Sequence, residues 1–203
     1  MKAYRITTPR LVLRPWSTDD AEAVKRAEDE SRAHLRTFMS WAARDPESYD
    51  EVIAKLRLFR SRFDRDEDFM FGVFDEATEA LVGGAGLHPR VGNGGLEIGY
   101  WVHAAHVRKG YATEVAAALT RVAFDALDAR WVEIRCAVGN DASAGVPRKL
   151  GFTLEATLRQ RVQIGDGSFV DVRVFSLFPD AYATGPARAV GVAAWDPARR
   201  RVL

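Results

Sequence analysis

YWVHAAHVRKGYATEV, Tyr100 to Val115, decides the reading of this chain. An alternating strand ends, the basic pair Arg108-Lys109 follows, and Gly110 opens an amphipathic helix. Ala112, Val115, Ala116, Leu119, Val122, Ala123 and Ala126 keep the i, i+3, i+4, i+7 spacing of one apolar helix face. The first N–H groups of a helix lack internal partners, and the helix dipole adds partial positive charge there. Gly110 removes the side chain that would block close approach, and Ala112 keeps the next turn small. The stretch therefore predicts an anion cradle for a phosphate or pyrophosphate, with Arg108 and Lys109 on its rim. A plainer reading of the same residues is a loop-to-helix joint with solvated basic side chains. Other phosphate motifs fail. No GxxxxGK[ST] occurs, and Gly83-Gly84-Ala85-Gly86 runs into Leu87-His88-Pro89 and another strand, where a dinucleotide fingerprint needs a helix.

Upstream of this segment, Arg10–Trp16 (RLVLRPW) alternates as a strand. Ser17 and Asp20 predict a capping box for a helix through DDAEAVKRAEDE. A second helical stretch is expected over Ser31–Ala43, and a third from Pro46 through PESYDEVIAKLRLFRSRF. Asp68–Asp75, Leu81–His88 and Leu96–His103 read as a three-strand meander. The Gly92-Asn93-Gly94-Gly95 turn joins the last two strands. Downstream, Trp131–Val138 alternates as a strand, and Asp141–Lys149 is a short helix closed by Gly151 as a left-handed cap. A hairpin over Phe152–Ile164 and Ser168–Leu177 turns at Gly165-Asp166-Gly167. Residues 185–203, rich in Ala, Pro and Arg and without periodicity, read as a C-terminal appendage open to disorder.

Composition bounds the function classes. The chain has 203 residues, 29 Lys and Arg against 28 Asp and Glu, and 47% hydrophobic residues, the profile of an ordinary soluble globular protein. The near-neutral balance argues against a dedicated nucleic-acid binder, and the absence of a long apolar run argues against a membrane span. The N-terminal stretch MKAYRITTPR lacks the apolar core of a secretory signal. Cys136 is the lone cysteine, so no internal disulfide forms and a reducing cytoplasm is the expected location.

Arg108-Lys109-Gly110-Tyr111-Ala112-Thr113-Glu114 resembles the pyrophosphate loop of the GNAT superfamily of acetyl-CoA-dependent N-acetyltransferases. Asn140-Asp141-Ala142-Ser143, Val146 and Lys149-Leu150-Gly151-Phe152 are similar to the family's NxxSxxVxxKLGF pattern. Thr8–Trp16 and Glu97–His103 resemble the branch that contains ribosomal-protein N-terminal acetyltransferases. The resemblance implies a single α+β domain over residues 1–184, with a mixed, splayed sheet of about seven strands flanked by helices. Acetyl-CoA is then the co-substrate, with its pantetheine arm along Tyr100, Trp101, Val102 and His103. Its pyrophosphate lies on Arg108, Lys109, Gly110, Tyr111, Ala112 and Thr113, and Asn140 and Ser143 lie beside the arm. The acceptor is an amine, either a protein N-terminus or a small molecule, taken by a monomer or homodimer with no metal. A CoA-binding regulatory module without catalysis is the alternative. Two positions depart from the pattern. Val107 stands where a Gln or Arg is common, and Pro147 stands where many members place a Tyr as general acid.

Single residues carry competing readings. On its strand Glu97 shares parity with Trp101 and His103, while Leu96, Ile98, Tyr100 and Val102 face the other way. Glu97 is the candidate general base, acting through water, against a salt-bridged strand glutamate. His88, at a strand end, and Trp41, on the early helices, are candidate acceptor contacts, and Leu35 and Phe38 are candidate frame residues for the acceptor mouth. His103 and His106 lack a third metal ligand. Cys136 reads as inert core. Pro147 is expected to disturb its short helix by ~3 kcal/mol.

Overall fold

The computed structural model describes residues 3–203. Nine strands form one sheet: β1 Arg5–Thr7, β2 Leu11–Pro15, β3 Phe69–Asp75, β4 Leu81–His88, β5 Gly95–Val102, β6 Trp131–Ala137, β7 Thr153–Gln163, β8 Phe169–Leu177 and β9 Ala193–Trp195. Their order is β7-β8-β6-β5-β4-β3-β2-β1-β9. Every neighbouring pair is antiparallel except β5 and β6, which run parallel. Five α-helices accompany the sheet: α1 Ala21–Leu35, α2 Tyr49–Asp64, α3 Tyr111–Arg121, α4 Asp141–Lys149 and α5 Pro179–Thr184.

The Ser17/Asp20 capping box is present and starts a 3₁₀ turn that leads into α1. α1 runs through Ser31 without a break and stops at Leu35, so the separate helix expected over Ser31–Ala43 is a tail of α1 and a 3₁₀ turn at Ser40–Ala43. Ser31 stays helical because it is fully buried and its hydroxyl accepts the Ala104 N–H at 3.0 Å. α2 begins at Tyr49, capped by Ser48 and Glu51. α3 buries Val115, Ala116, Ala117, Ala118, Leu119 and Thr120, and continues as a π-type turn over Val122–Ala126. Its run of small side chains lets the helix axis lie close to the sheet. The core between α3 and the sheet includes Phe71, Leu87, Ile98, Ile134 and Phe175, all nearly inaccessible.

Two expectations need correction. The sheet has nine strands where about seven were expected, the additions being the short edge strands β1 and β9. The stretch read as an appendage is built into the domain. β9 pairs with β1 from Arg5↔Trp195 to Thr7↔Ala193, and Ala187 and Ala194 are fully buried. Three residues are too few to show periodicity, and the burial comes from alanines, which carry little pattern.

β5 and β6 are in register only from Gly95↔Trp131 to Ile98↔Ile134. Beyond Ile98 they part, and the gap opens beside Gly99–Val102. The β7–β8 hairpin reaches back across the sheet to the end of α1. A Cβ on Gly165 would lie 1.8 Å from the Arg36 carbonyl oxygen, so only glycine permits that approach.

Candidate active site

The N-terminus of α3, where the sequence leads one to expect an anion cradle, has an unusual backbone. Gly110 caps the helix with φ +83°, and Arg108 also takes a left-handed φ of +62°. Alternation of this kind forms a backbone concavity lined by N–H groups. Among the described residues, the N–H groups from Arg108 to Thr113 donate to no protein acceptor. The cradle is braced from the far end of the chain. The Thr8 hydroxyl donates to Glu114 Oε1 at 2.5 Å. The Arg10 backbone N–H donates to the same oxygen at 3.1 Å, and Arg10 Nε to Oε2 at 2.7 Å. Arg10 Nη1 also reaches the Lys109 carbonyl at 3.0 Å, and its guanidinium lies 4.6 Å over the Tyr111 ring. This explains the TPR stretch, Thr8 to Arg10, as support for the cradle.

A cleft of about 700 Å³ runs from the cradle through the splay to the end of α1. Tyr100, Trp101 and Val102 line it from β5, with Arg108, Gly110, Tyr111, Ala112 and Thr113 from the cradle and Asn140 and Ser143 from α4. Sequence reasoning missed His34, Thr37, Met39, His106 and Lys149 on the same wall. Leu35 and Phe38 also line it. The first three missed residues sit at or just beyond the end of α1, and only the backbone path there brings them to the cleft. Lys109, His103, Trp41, His88 and Glu97 are not on that wall.

Asn140 caps α4, its Oδ1 accepting the Ser143 N–H at 3.1 Å. Pro147 lies inside α4, which runs on to Lys149 despite the disturbance expected of it. The Ser143 carbonyl, which a residue with an N–H at position 147 would engage, accepts the Tyr100 hydroxyl at 3.2 Å instead. The phenol lies equally close to Ser143 Oγ, and burial raises its pKa, so it remains a neutral donor. Tyr100→Phe is expected to leave that carbonyl without a partner and cost about 1–3 kcal/mol, read as a lower midpoint in urea at unchanged slope.

The opposite face of the sheet carries the other candidates. The register places His88 beside Glu97, Gly86 beside Gly99 and Gly84 beside Trp101. Glycines leave room for flat rings here. A Cβ on Gly86 would meet His88 Nε2 at 2.2 Å, and one on Gly84 would meet Trp101 Nε1 at 2.5 Å. Trp41 packs edge-on against Trp101 with centroids 6.3 Å apart, so it touches the cleft through that ring. Glu97 is 8% exposed, and Arg90 donates to both its carboxylate oxygens, Nη2 at 2.6 Å and Nε at 3.1 Å. Arg135 approaches it at 3.9 Å. His88 Nδ1 lies 2.5 Å from Asp68 Oδ1. Burial pushes the Asp68 carboxyl up, but the hydrogen bond from His88 and the nearby Arg90 and Arg62 charges outweigh it and hold the carboxyl below its usual range.

His103 packs against His106, and His106 against Tyr111, but the two histidines serve differently. His103 Nδ1 accepts the Ala105 N–H at 3.0 Å and Nε2 faces Glu30, so it braces the loop after β5 against α1. His106 has a buried Nδ1 without a partner, and burial, Lys109 and His103 all lower its pKa. Cys136 is buried, and burial raises its thiol pKa, as befits a core residue. Among the described residues no cluster of three or more His, Cys, Asp or Glu is placed to hold a metal. Among them, too, no helix is long and apolar enough to cross a membrane.

Comparison with known proteins places this geometry. The family described as Acetyltransferase (GNAT) domain matches residues 10–153. A Bacillus subtilis (strain 168) protein named "Probable N-acetyltransferase YjcK" is 28% identical over 174 residues, covering 84% of this chain and 95% of its own. Among solved structures, the ribosomal L7/L12 α-N-protein acetyltransferase RimL, in complex with coenzyme A, superposes with a TM-score of 0.77 at 24% identity. That match covers 86% of this chain and 97% of the other. Mycobacterium smegmatis RimJ, in complex with CoA-disulfide, gives 0.77 at 19% identity, covering 93% and 92%. At these identities the two structures speak to the fold.

Proposed function

The chain belongs to the acetyltransferase (GNAT) domain family, and from that premise we propose that it moves the acetyl group of acetyl-CoA directly to a primary amine. The observation that carries this reading is the continuous cleft. One end is a cradle of unsatisfied N–H groups and the other reaches the end of α1, with the β5–β6 gap between them. A long anionic thioester fits such a path, with phosphates on the cradle and the arm laid along β5 as an added strand.

The strand also supplies a donor. The His103 N–H bonds back to the Val82 carbonyl on β4 at 2.8 Å. Alternation along β5 therefore turns the Val102 N–H toward the opposite edge, where β6 has parted. That N–H polarises the thioester carbonyl and stabilises the oxyanion as the amine attacks. Holding both reactants in one cleft supplies the remainder by proximity. Among amines, a protein α-amine is the first acceptor class to try, because RimL is named as an α-N-protein acetyltransferase.

The test is direct. The purified protein is incubated with acetyl-CoA and a panel of short peptides with free α-amines and small primary amines. Thiol release and acetylated product are followed together. Release of thiol in step with product is the expected result. Tight CoA binding with no product from any amine would assign the fold to a CoA-binding module instead.

A further inference from the structure

The acyl-transfer reading requires a group that takes a proton from the incoming ammonium on the acceptor face. Glu97 stands on that face with both oxygens engaged by Arg90 and with Arg135 nearby. Both carboxylate oxygens already accept from the guanidinium fork, so an ammonium that reached Glu97 would have to displace Arg90. Its neighbour across the strand pair is His88, whose side chain is 9% exposed. Asp68 engages Nδ1, which fixes the Nδ1–H tautomer and leaves Nε2 as a lone-pair acceptor. Among the described residues Nε2 has no hydrogen-bond partner. It lies over Gly86 and 3.3 Å from where a Cβ of Gly99 would stand. Gly99 is the first residue of β5 past the last β6 pairing, at the mouth of the splay.

We propose that His88, positioned by Asp68, is the proton acceptor of the acetyl transfer, and that the Arg90–Glu97 pair is a positioning element beside it. This rests on the acyl-transfer reading above. Nε2 takes one proton from the ammonium, which frees the nitrogen lone pair. The amine attacks the thioester carbonyl carbon and the C–N bond forms. The tetrahedral adduct collapses, the C–S bond breaks with its electron pair on sulfur, and one of the two remaining nitrogen protons passes to that sulfur while the other stays as the amide N–H. The products are the amide, CoA thiol and an imidazolium paired with the Asp68 carboxylate, which then returns its proton to solvent. The glycines at 86 and 99 belong to the same design, since any side chain there would occupy the space of the ring or of the amine.

The charged groups around the imidazole come from four directions. Asp68 precedes β3, Arg62 on α2 acts on Asp68, Arg90 follows β4, and Glu97 lies across on β5. Two arms of one experiment separate this proposal from the reading beneath it. In the first, nitrogen-15 NMR of the wild-type protein reads the His88 tautomer, with no acceptor needed. In the neutral ring the proton is expected on Nδ1, facing Asp68, and Asp68→Asn should mix the tautomers. An Nε2–H tautomer in the wild type overturns the proposal even if transfer is robust. In the second, the amine panel is run on variants. His88→Gln should lower kcat about 10²-fold with acetyl-CoA binding within twofold, and Glu97→Gln should lower it less than tenfold. The acidic limb of the pH–rate profile should disappear in His88→Gln, and imidazole in the medium should rescue His88→Ala. A His88→Gln rate within threefold of wild type, or a collapse confined to Glu97→Gln, overturns the assignment. Absence of transfer by the wild type defeats the acyl-transfer reading, and the role of His88 with it, whatever its tautomer.

Discussion

Gly110→Asp is expected to fold, melt within a few degrees of the parent and bind CoA at least tenfold more weakly. The two halves of this result have separate causes. Gly110 has φ +83°, a conformation that costs an L-residue ~1 kcal/mol, although aspartate tolerates it better than most. A Cβ there has room, its nearest neighbour being Arg10 Nη2 at 3.5 Å, and an aspartate can cap α3. The fold therefore survives. The new charge, however, stands where the proposed pyrophosphate meets the N–H groups of Tyr111–Thr113. Two unit charges 4 Å apart repel by about 1 kcal/mol in water and about 4 kcal/mol at an effective dielectric constant of 20. That corresponds to a loss of roughly fivefold to several hundredfold for each phosphate charge, and a pyrophosphate carries more than one. Titration calorimetry with CoA reads the binding, and thermal denaturation reads the fold. Unchanged affinity in a folded variant would remove the cradle from the site.

Truncation after Thr184 is expected to yield a chain that aggregates or melts far below the parent. The removed residues include Ala187, Val192 and Ala194, all buried, and Val190, Val202 and Leu203, which pack against the core. At about 1.5–3 kcal/mol for each large side chain fully buried, even partial burial of these three and of Val192 amounts to about 4 kcal/mol or more. That is a large share of the 5–15 kcal/mol typical of a domain. Truncation also bares β1 as an edge strand, with the pairing groups of Arg5–Thr7 exposed. Arg121 loses its 2.9 Å bond to the Val190 carbonyl. Denaturation midpoint and light scattering read the outcome together. A soluble truncated chain with parental stability would mean that the tail is the appendage its composition suggests.

What could be read from sequence divides by range. The meander, α3 and the hairpin announce themselves through local alternation and helical spacing. The cradle is likewise a local motif, contained between Arg108 and Glu114. The strand parity that separates Glu97 and Trp101 from Tyr100 and Val102 also follows from adjacent residues. Partnerships across the chain left no such trace. Nothing in HPR or DED pairs His88 with Asp68 until the β3–β4 register brings them together. The same holds for Arg90 on Glu97, and for the Tyr100 hydroxyl that compensates Pro147 from the facing strand. β9 was missed because three residues of Ala and Trp carry no period, and pairing with β1 decides their conformation. The extension of α1 through Ser31 was decided by burial against the loop after β5, a tertiary contact that overrides a polar residue's local preference.

The brace beneath the cradle ties Glu114 to residues 106 and 104 positions earlier in the chain. During synthesis Thr8 and Arg10 leave the ribosome long before α3 exists, so the cradle is among the late, non-local closures of the folding reaction. Acetyl-CoA then meets a competent cradle only on a chain whose N-terminal segment has found the start of α3. Its affinity thus reports the finished fold, and its free concentration stabilises that state by mass action. The co-substrate that the reaction consumes is thus also a folding ligand, and thermal denaturation with and without acetyl-CoA reads that second role.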